Sequence, residues 1–162
     1  MKQLIKGFVI LAILSISQDI SAQAYQSSVG ARLGTFFSGT YKMFLNESSA
    51  IEAVVGFDRT GGPTIFGVNT SRTQFIVGGF YQIHNDLTLE GEGFQWYYGG
   101  GGYVSLGDAT GIIPSGIVGI EYTLSESPVN FFIDAIPGLY IGNGGTDFQI
   151  NGALGARYIL NR

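Results

Sequence analysis

The chain has no cysteine, four prolines, a single histidine and few charges: Asp, Glu, Lys and Arg make up 12% of its 162 residues. Each shortage excludes something. Without cysteine there is no disulfide framework, so stability must come from elsewhere, and a closed backbone hydrogen-bond network can supply it. Soluble domains typically carry about 25% charged residues. Here hydrophobic residues reach 45% and mean hydropathy is +0.25, so most of the surface is expected not to face water. Yet after residue 24 there is no run of the roughly 20 apolar residues that a helix needs to cross a bilayer. An apolar chain without spanning helices has one common membrane solution, a closed barrel of strands. Basic residues are also outnumbered, 8 against 12, which leaves no electrostatic footprint for nucleic acid.

The first 24 residues read as an export signal. Lys2 and Lys6 supply a basic start, and Gly7 to Ile16 is an apolar core too short to span as a helix. Ala22-Gln23-Ala24 places small residues where a signal peptidase needs them, with cleavage expected after Ala24 and after Ala22 as the near alternative. No cysteine follows, so no lipoprotein anchor is expected. Residues 25–162 then form one domain. Removing Lys2, Lys6 and Asp19 leaves six basic and eleven acidic residues, a net charge near −5.

What is abundant is alternation. From Asp147 to Leu160, Phe148, Ile150, Leu154, Ala156, Tyr158 and Leu160 share one parity, and Gln149, Asn151, Ala153, Gly155 and Arg157 the other. A strand sends successive side chains to opposite faces, so one face is apolar and the other polar. Turn-forming residues divide the chain into eight such segments. They are Ser27–Phe36, Thr40–Leu45, Ala50–Phe57, Ser71–Ile83, Phe94–Leu106, Ile113–Leu124, Val129–Tyr140 and Asp147–Leu160. The expected fold is all-β, an eight-stranded antiparallel up-and-down transmembrane barrel with an apolar outside and a polar inside. Both termini then share the periplasmic end with the turns at 46–49, 85–93 and 125–128. The connections at 58–70, 107–111 and 142–146 lie at the other, external end. The 26 glycines, four of them consecutive at Gly99–Gly102, suit the sharp curvature of a small barrel.

Applied strand by strand, the parity rule sends every mid-strand charge inward. The predicted interior network is Arg32, Lys42, Arg72 and Arg157 against Glu52, Glu121 and Asp134. Eight strands leave room for side chains and none for a wide aqueous channel, so these charges must pair. A structural salt-bridge core is the favoured reading over an ion path or ligand site. Trp96, Tyr98, Tyr122 and Tyr158 fall on the outward parity near the periplasmic end and are expected to form an aromatic girdle at the lipid boundary.

No catalytic constellation emerges. His84 closes a strand beside a turn and is read as an ordinary turn residue. There is no nucleophile elbow and no phosphate loop, and no cofactor is expected. Asp58, Asp108 and Asp147 border external loops as single carboxylates far apart in sequence. They are read as solvating the loops, and no metal site is expected.

The segments Lys42 to Asn46 (KMFLN), Ala50 to Phe57 (AIEAVVGF), Phe94 to Tyr103 (FQWYYGGGGY) and Gly116 to Leu124 (GIVGIEYTL), and their order along the chain, resemble small outer-membrane β-barrel proteins of Bacteroidota-type bacteria. The resemblance covers most of residues 25–162 and implies a barrel related in architecture to OmpA/OmpX-type domains. It implies outer-membrane lipid and the barrel assembly machinery as partners. The chain departs from the usual aromatic last residue: Tyr158 is followed by Ile159, Leu160, Asn161 and Arg162. The expected function is an integral outer-membrane protein with a structural or surface-interaction role and no catalysis. Two alternatives are a secreted, water-soluble lipocalin-like ligand carrier, which needs the inverse pattern of faces, and a lipid A-modifying enzyme working through His84.

Overall fold

A computed structural model describes residues 25–60, 72–87, 93–107, 110–143 and 145–161, without the side chains of 58–60 and 72–73. The proposed export signal lies outside them. The described residues contain no helix. Eight strands follow one another: β1 (Ser27–Gly34), β2 (Phe37–Phe44), β3 (Ser49–Thr60), β4 (Arg72–Asp86), β5 (Phe94–Gly107), β6 (Gly111–Thr123), β7 (Val129–Gly142) and β8 (Gly145–Asn161). Each pairs antiparallel with the next, and β8 returns to β1 (Val29 opposite Tyr158, Gly34 opposite Ala153), so the sheet closes into a barrel. At one end, the terminus end, lie residues 25 and 161 and the β2–β3, β4–β5 and β6–β7 connections. The other is the loop end.

Most strand boundaries shift by one to three residues from the sequence-based expectation: β3 runs on to Thr60, and β7 and β8 extend toward each other to Gly142 and Gly145, so the expected connections at 58–70 and 142–146 are shorter; two further shifts matter for the core. The break between the first two strands falls at Thr35–Phe36 instead of Phe36–Gly39. Two adjacent phenylalanines hide it: Phe36 turns into the lumen edge-on to Tyr103 (5.4 Å), while Phe37 faces outward. The connection expected at Asn85–Gly93 is shorter, because β4 runs on to Asp86 opposite Gln95 and the Leu87 N–H donates to the Phe94 carbonyl (3.0 Å).

The lumen is filled by a large-against-small rule. Phe80 stands opposite Gly101, Gln82 opposite Gly99 and Tyr103 opposite Gly78. Tyr97 stands opposite Gly119, Phe132 opposite Gly155 and Arg157 opposite Gly30. An eight-stranded wall curves so tightly that neighbouring inward side chains converge, and alternating large and small residues lets them interdigitate. A Cβ at Gly155 would stand 2.5 Å from the Phe132 ring.

The interior is not polar throughout, as the sequence pattern had suggested. Val54, Ile76, Phe80, Tyr97, Tyr103, Ile113, Ile117 and Ile136 form one buried apolar cluster, with Phe36 and Tyr140 packed on it. A smaller one, Tyr25, Phe44, Ala50 and Ile159, lies near the terminus end. Alternation by itself could not reveal this, because on β4 and β6 both parities are apolar: Ile76 and Phe80 point in, Val77 and Tyr81 out.

Gly119 gives a direct check of the packing rule. A Cβ there would come 2.5 Å from Tyr97 Cζ and 2.8 Å from Asp134 Cβ. Gly119→Val is expected to destabilise the barrel by about 1–3 kcal/mol, as overpacking does, while Gly100→Val on the open outward face does not. Urea midpoints of the two folded variants measure the difference, and equal midpoints would contradict the rule.

Candidate functional site

Between the two apolar clusters the lumen holds a continuous chain of alternating charge. Asp134 Oδ1 meets Arg32 Nη2 at 2.7 Å, and Arg32 Nη1 meets Glu52 Oε1 at 3.3 Å. Glu52 Oε1 also takes Arg157 Nη2 at 2.7 Å. Arg157 Nη1 reaches Glu121 Oε2 at 3.3 Å, and that oxygen binds Lys42 Nζ at 2.7 Å. Three cations and three carboxylates thus run in strict alternation through β7, β1, β3, β8, β6 and β2, one from each strand.

The local sequence explains why each side chain points inward. On β1 the pattern Val29-Gly30-Ala31-Arg32-Leu33 turns Val29 and Leu33 out and Arg32 in. On β3, Ile51-Glu52-Ala53 turns Glu52 in between two outward neighbours. The same holds for Lys42 between Tyr41 and Met43, Glu121 between Ile120 and Tyr122, and Arg157 between Ala156 and Tyr158.

Neutral polar groups occupy the remaining lone pairs. Glu52 accepts from the Thr40 hydroxyl and from Gln82 Nε2 (2.5 Å). Glu121 accepts from the Tyr25 hydroxyl (3.0 Å), Asp134 from the Tyr97 hydroxyl (2.9 Å). Asn130 Oδ1 accepts from Arg157 and its Nδ2 donates to Thr123. Rings cover the cations: Arg157 Cζ sits 3.6 Å from the Phe132 centroid and Lys42 Nζ 4.5 Å from that of Tyr97. A charge inside a barrel is costly unless it is paired and its hydrogen bonds are made; here every charge is paired, and of the charged groups only Arg157 Nε is left without a hydrogen-bond partner among the described residues. Arg32, Lys42, Glu52, Glu121 and Arg157 are each at most 2% exposed. Since a water-filled bore would leave these side chains accessible, the described residues enclose no open aqueous path past them.

His84 is a correction. It is not a turn residue: its ring is buried in the lumen, stacked on Tyr97 (5.0 Å, 26°) and tilted against Phe44 (4.8 Å). Nε2 lies 3.2 Å from Gln82 Oε1 and 3.4 Å from Lys42 Nζ, and Nδ1 lies 3.7 Å from Glu121 Oε1. The signal was present in the alternation, since Gln82 and His84 share a parity, but it was masked by extending β4 only to Ile83. Arg72 begins β4 opposite Thr60, and its side chain lies outside the described residues.

Trp96, Tyr98 and Tyr158 are exposed on the outer wall, and Trp96 stacks on Tyr98 (5.3 Å, 24°). Tyr122 is half-buried because it packs on Phe94 at 4.4 Å. Tyr41 and Tyr81 are also exposed, and the Tyr81 hydroxyl donates to Ser49. Asp147 is exposed, Asp58 lacks a described side chain and Asp108 lies outside the described residues. Among the described residues no three His, Cys, Asp or Glu side chains gather as a metal site.

Fold and site together define a closed eight-stranded antiparallel barrel with an ionic core and an apolar wall. No protein-family model, no curated protein and no solved structure matches the chain.

Glu121 carries the test of the ionic chain. Glu121→Gln leaves Lys42 and Arg157 short of a counter-charge and is expected to cost about 3–5 kcal/mol, the penalty for breaking a buried pair. Glu126→Gln, at an exposed turn, is expected to change nothing measurable. Equilibrium urea unfolding of both variants decides it, and equal stabilities would mean that Glu121 is not anchored among cations.

Proposed function

We propose that the chain is an integral outer-membrane barrel, held rigid by its ionic core, with a structural or surface-interaction role and no catalysis. The observation that carries this reading is the outer wall. Among the described residues 25 large hydrophobic residues are exposed, on all eight strands, and all but Phe148 and Ile150 at the loop-end rim are proposed to face lipid. Val55, Ile133, Leu154, Val118 and Phe131 are each 47–60% exposed at mid-strand, while the mid-strand charges face the lumen. Water-soluble monomers rarely expose contiguous apolar patches larger than a few hundred Å². An apolar girdle around the full circumference, with tyrosines and a tryptophan toward the terminus end, suits hydrocarbon bounded by an interface.

The two alternatives fit less well. A lipocalin-like carrier needs a polar outside and an open apolar cavity, and this wall is apolar. A lipid A-modifying enzyme needs its histidine at the lipid-facing surface, and the His84 ring is inside, hydrogen-bonded within the core. An export signal over residues 1–24 and assembly by the barrel machinery are part of the proposed reading.

The test is fractionation and folding. The mature chain is expected in outer-membrane fractions, to need detergent or lipid to fold, and to migrate differently on gels before and after heating. Val55→Arg or Ile133→Arg is expected to cost about 2–4 kcal/mol at the bilayer midplane and to lower the folding yield in lipid vesicles. A monomer that folds in plain buffer, or normal yields for both arginine variants, would defeat the reading.

A further inference from the structure

The barrel wall is not equally tall all round. β1 and β2 have eight residues each, whereas β8 has 17. The β1–β8 ladder stops at Gly34 opposite Ala153, and its last bond is the Thr35 N–H to the Gly152 carbonyl (3.1 Å). The β7–β8 ladder continues without a register shift to Gly142 opposite Gly145. Residues 145–151 of β8 are therefore paired on one side only among the described residues. In an antiparallel strand the N–H and C=O of one residue point to the same side, and the side alternates along the chain. Gly152 points toward β1, so the N–H and C=O of Thr146, Phe148 and Ile150 also point that way, beyond the end of β1. The β2–β3 ladder likewise ends at Phe37 opposite Phe57, while β3 pairs with β4 as far as Thr60. The short β1–β2 hairpin thus leaves a notch in the loop-end rim, bordered on one side by a bare strand edge.

From this we infer that the free edge of β8, residues 145–151, is a docking edge for an extended segment of another polypeptide, added as a strand. Backbone donors and acceptors in a row are satisfied in register by another backbone, and strand addition is the recognition mode that uses them. The edge lacks the usual protection: Gly145-Thr-Asp-Phe-Gln-Ile-Asn151 contains no lysine, no proline and no bulge. Phe148 and Ile150, 63% and 66% exposed, offer apolar contacts on the outward face, and Asp147 a negative charge on the other. The partner segment therefore alternates apolar residues with polar ones and carries a basic residue opposite Asp147.

A second copy of this chain is a poorer occupant, an argument that rests on the membrane reading above. Antiparallel pairing of two β8 edges needs a two-fold axis across the strand, which would insert one copy upside down. The membrane reading also requires the edge to stand clear of hydrocarbon, because unpaired backbone groups in lipid cost several kcal/mol each. On that same reading its place at the loop end puts it on the external, aqueous side.

The probe is a short synthetic peptide alternating valine with lysine and threonine, added to the full mature chain folded in detergent. Hydrogen exchange is expected to slow at the Thr146, Phe148 and Ile150 amides. The same peptide N-methylated on alternate residues, which removes its donors, is expected to leave them unchanged. Phe148→Pro deletes one N–H on the free side and none on the β7 side. It is expected to weaken peptide binding by about tenfold, the worth of one lost hydrogen bond, with heat-dependent gel mobility intact. Equal protection by the methylated peptide would overturn the inference. So would amides already protected in the dilute free protein, or protection that grows with protein concentration alone, the mark of a second copy. Folding in water without detergent would instead defeat the membrane reading, and peptide-dependent protection in that sample would still support the edge.

Discussion

The structure depends on one constraint: six charged side chains lie buried in the lumen, out of contact with bulk water, so each must find its counter-charge across the barrel. The sequence Asp134–Arg32–Glu52–Arg157–Glu121–Lys42 meets it by strict alternation, so that every interior member stands between two opposite charges. Coulomb attraction at these distances is large in a low-dielectric interior, but so is the cost of removing each ion from water. What favours the assembled state is that each charge is paired within the group and that Thr40, Gln82, Tyr25, Tyr97 and Asn130 add further hydrogen bonds to it. The chain is also a register device. A one-residue slip of any of its strands would turn a charge out to the apolar wall and an apolar residue in among the ions.

The apolar clusters above and below follow from the same constraint. Water reaching Glu52 or Arg157 would screen the pairs, and the lumen ends are where it would enter. Phe36, Tyr103, Phe80 and Ile113 fill the loop-end side, and Tyr25, Phe44 and Ile159 the terminus-end side. The glycines opposite the large residues make this filling possible, which accounts for glycine on the inward parity of strands that would otherwise favour β-branched residues.

Much of the fold was legible because alternation over eight segments is redundant. A misjudged boundary, as at Phe36–Phe37, shifts one strand end and leaves the strand number and antiparallel order intact. The inward direction of Arg32, Lys42, Glu52, Glu121, Asp134 and Arg157 was readable for the same reason: each sits between outward apolar neighbours. What sequence could not give was connectivity. Parity says that Glu52 points in, but only the stagger between strands brings it to Arg157, 105 positions away, as well as to Arg32. The apolar half of the lumen was also hidden, because Ile76 and Val77 look alike to a pattern that separates only polar from apolar. His84 was lost to a strand drawn three residues short, a small error that moved it from the core to a turn.

The rim shows where the governing constraint stops acting. Within the height of the ionic chain every strand has two neighbours, since an open edge would admit water to the pairs. Above it the lumen is apolar and carries no such demand, so β1 and β2 can end early without exposing a charge. That freedom lets β8 rise past β1 and leaves Phe148 and Ile150 on a strand with one bare side. A closed barrel abolishes edges as a matter of topology, so an edge that survives closure reflects unequal strand lengths: a 17-residue β8 beside an eight-residue β1. The core needs rigidity and the rim does not, and the surface open to binding therefore lies beyond the last paired residue of the shortest hairpin.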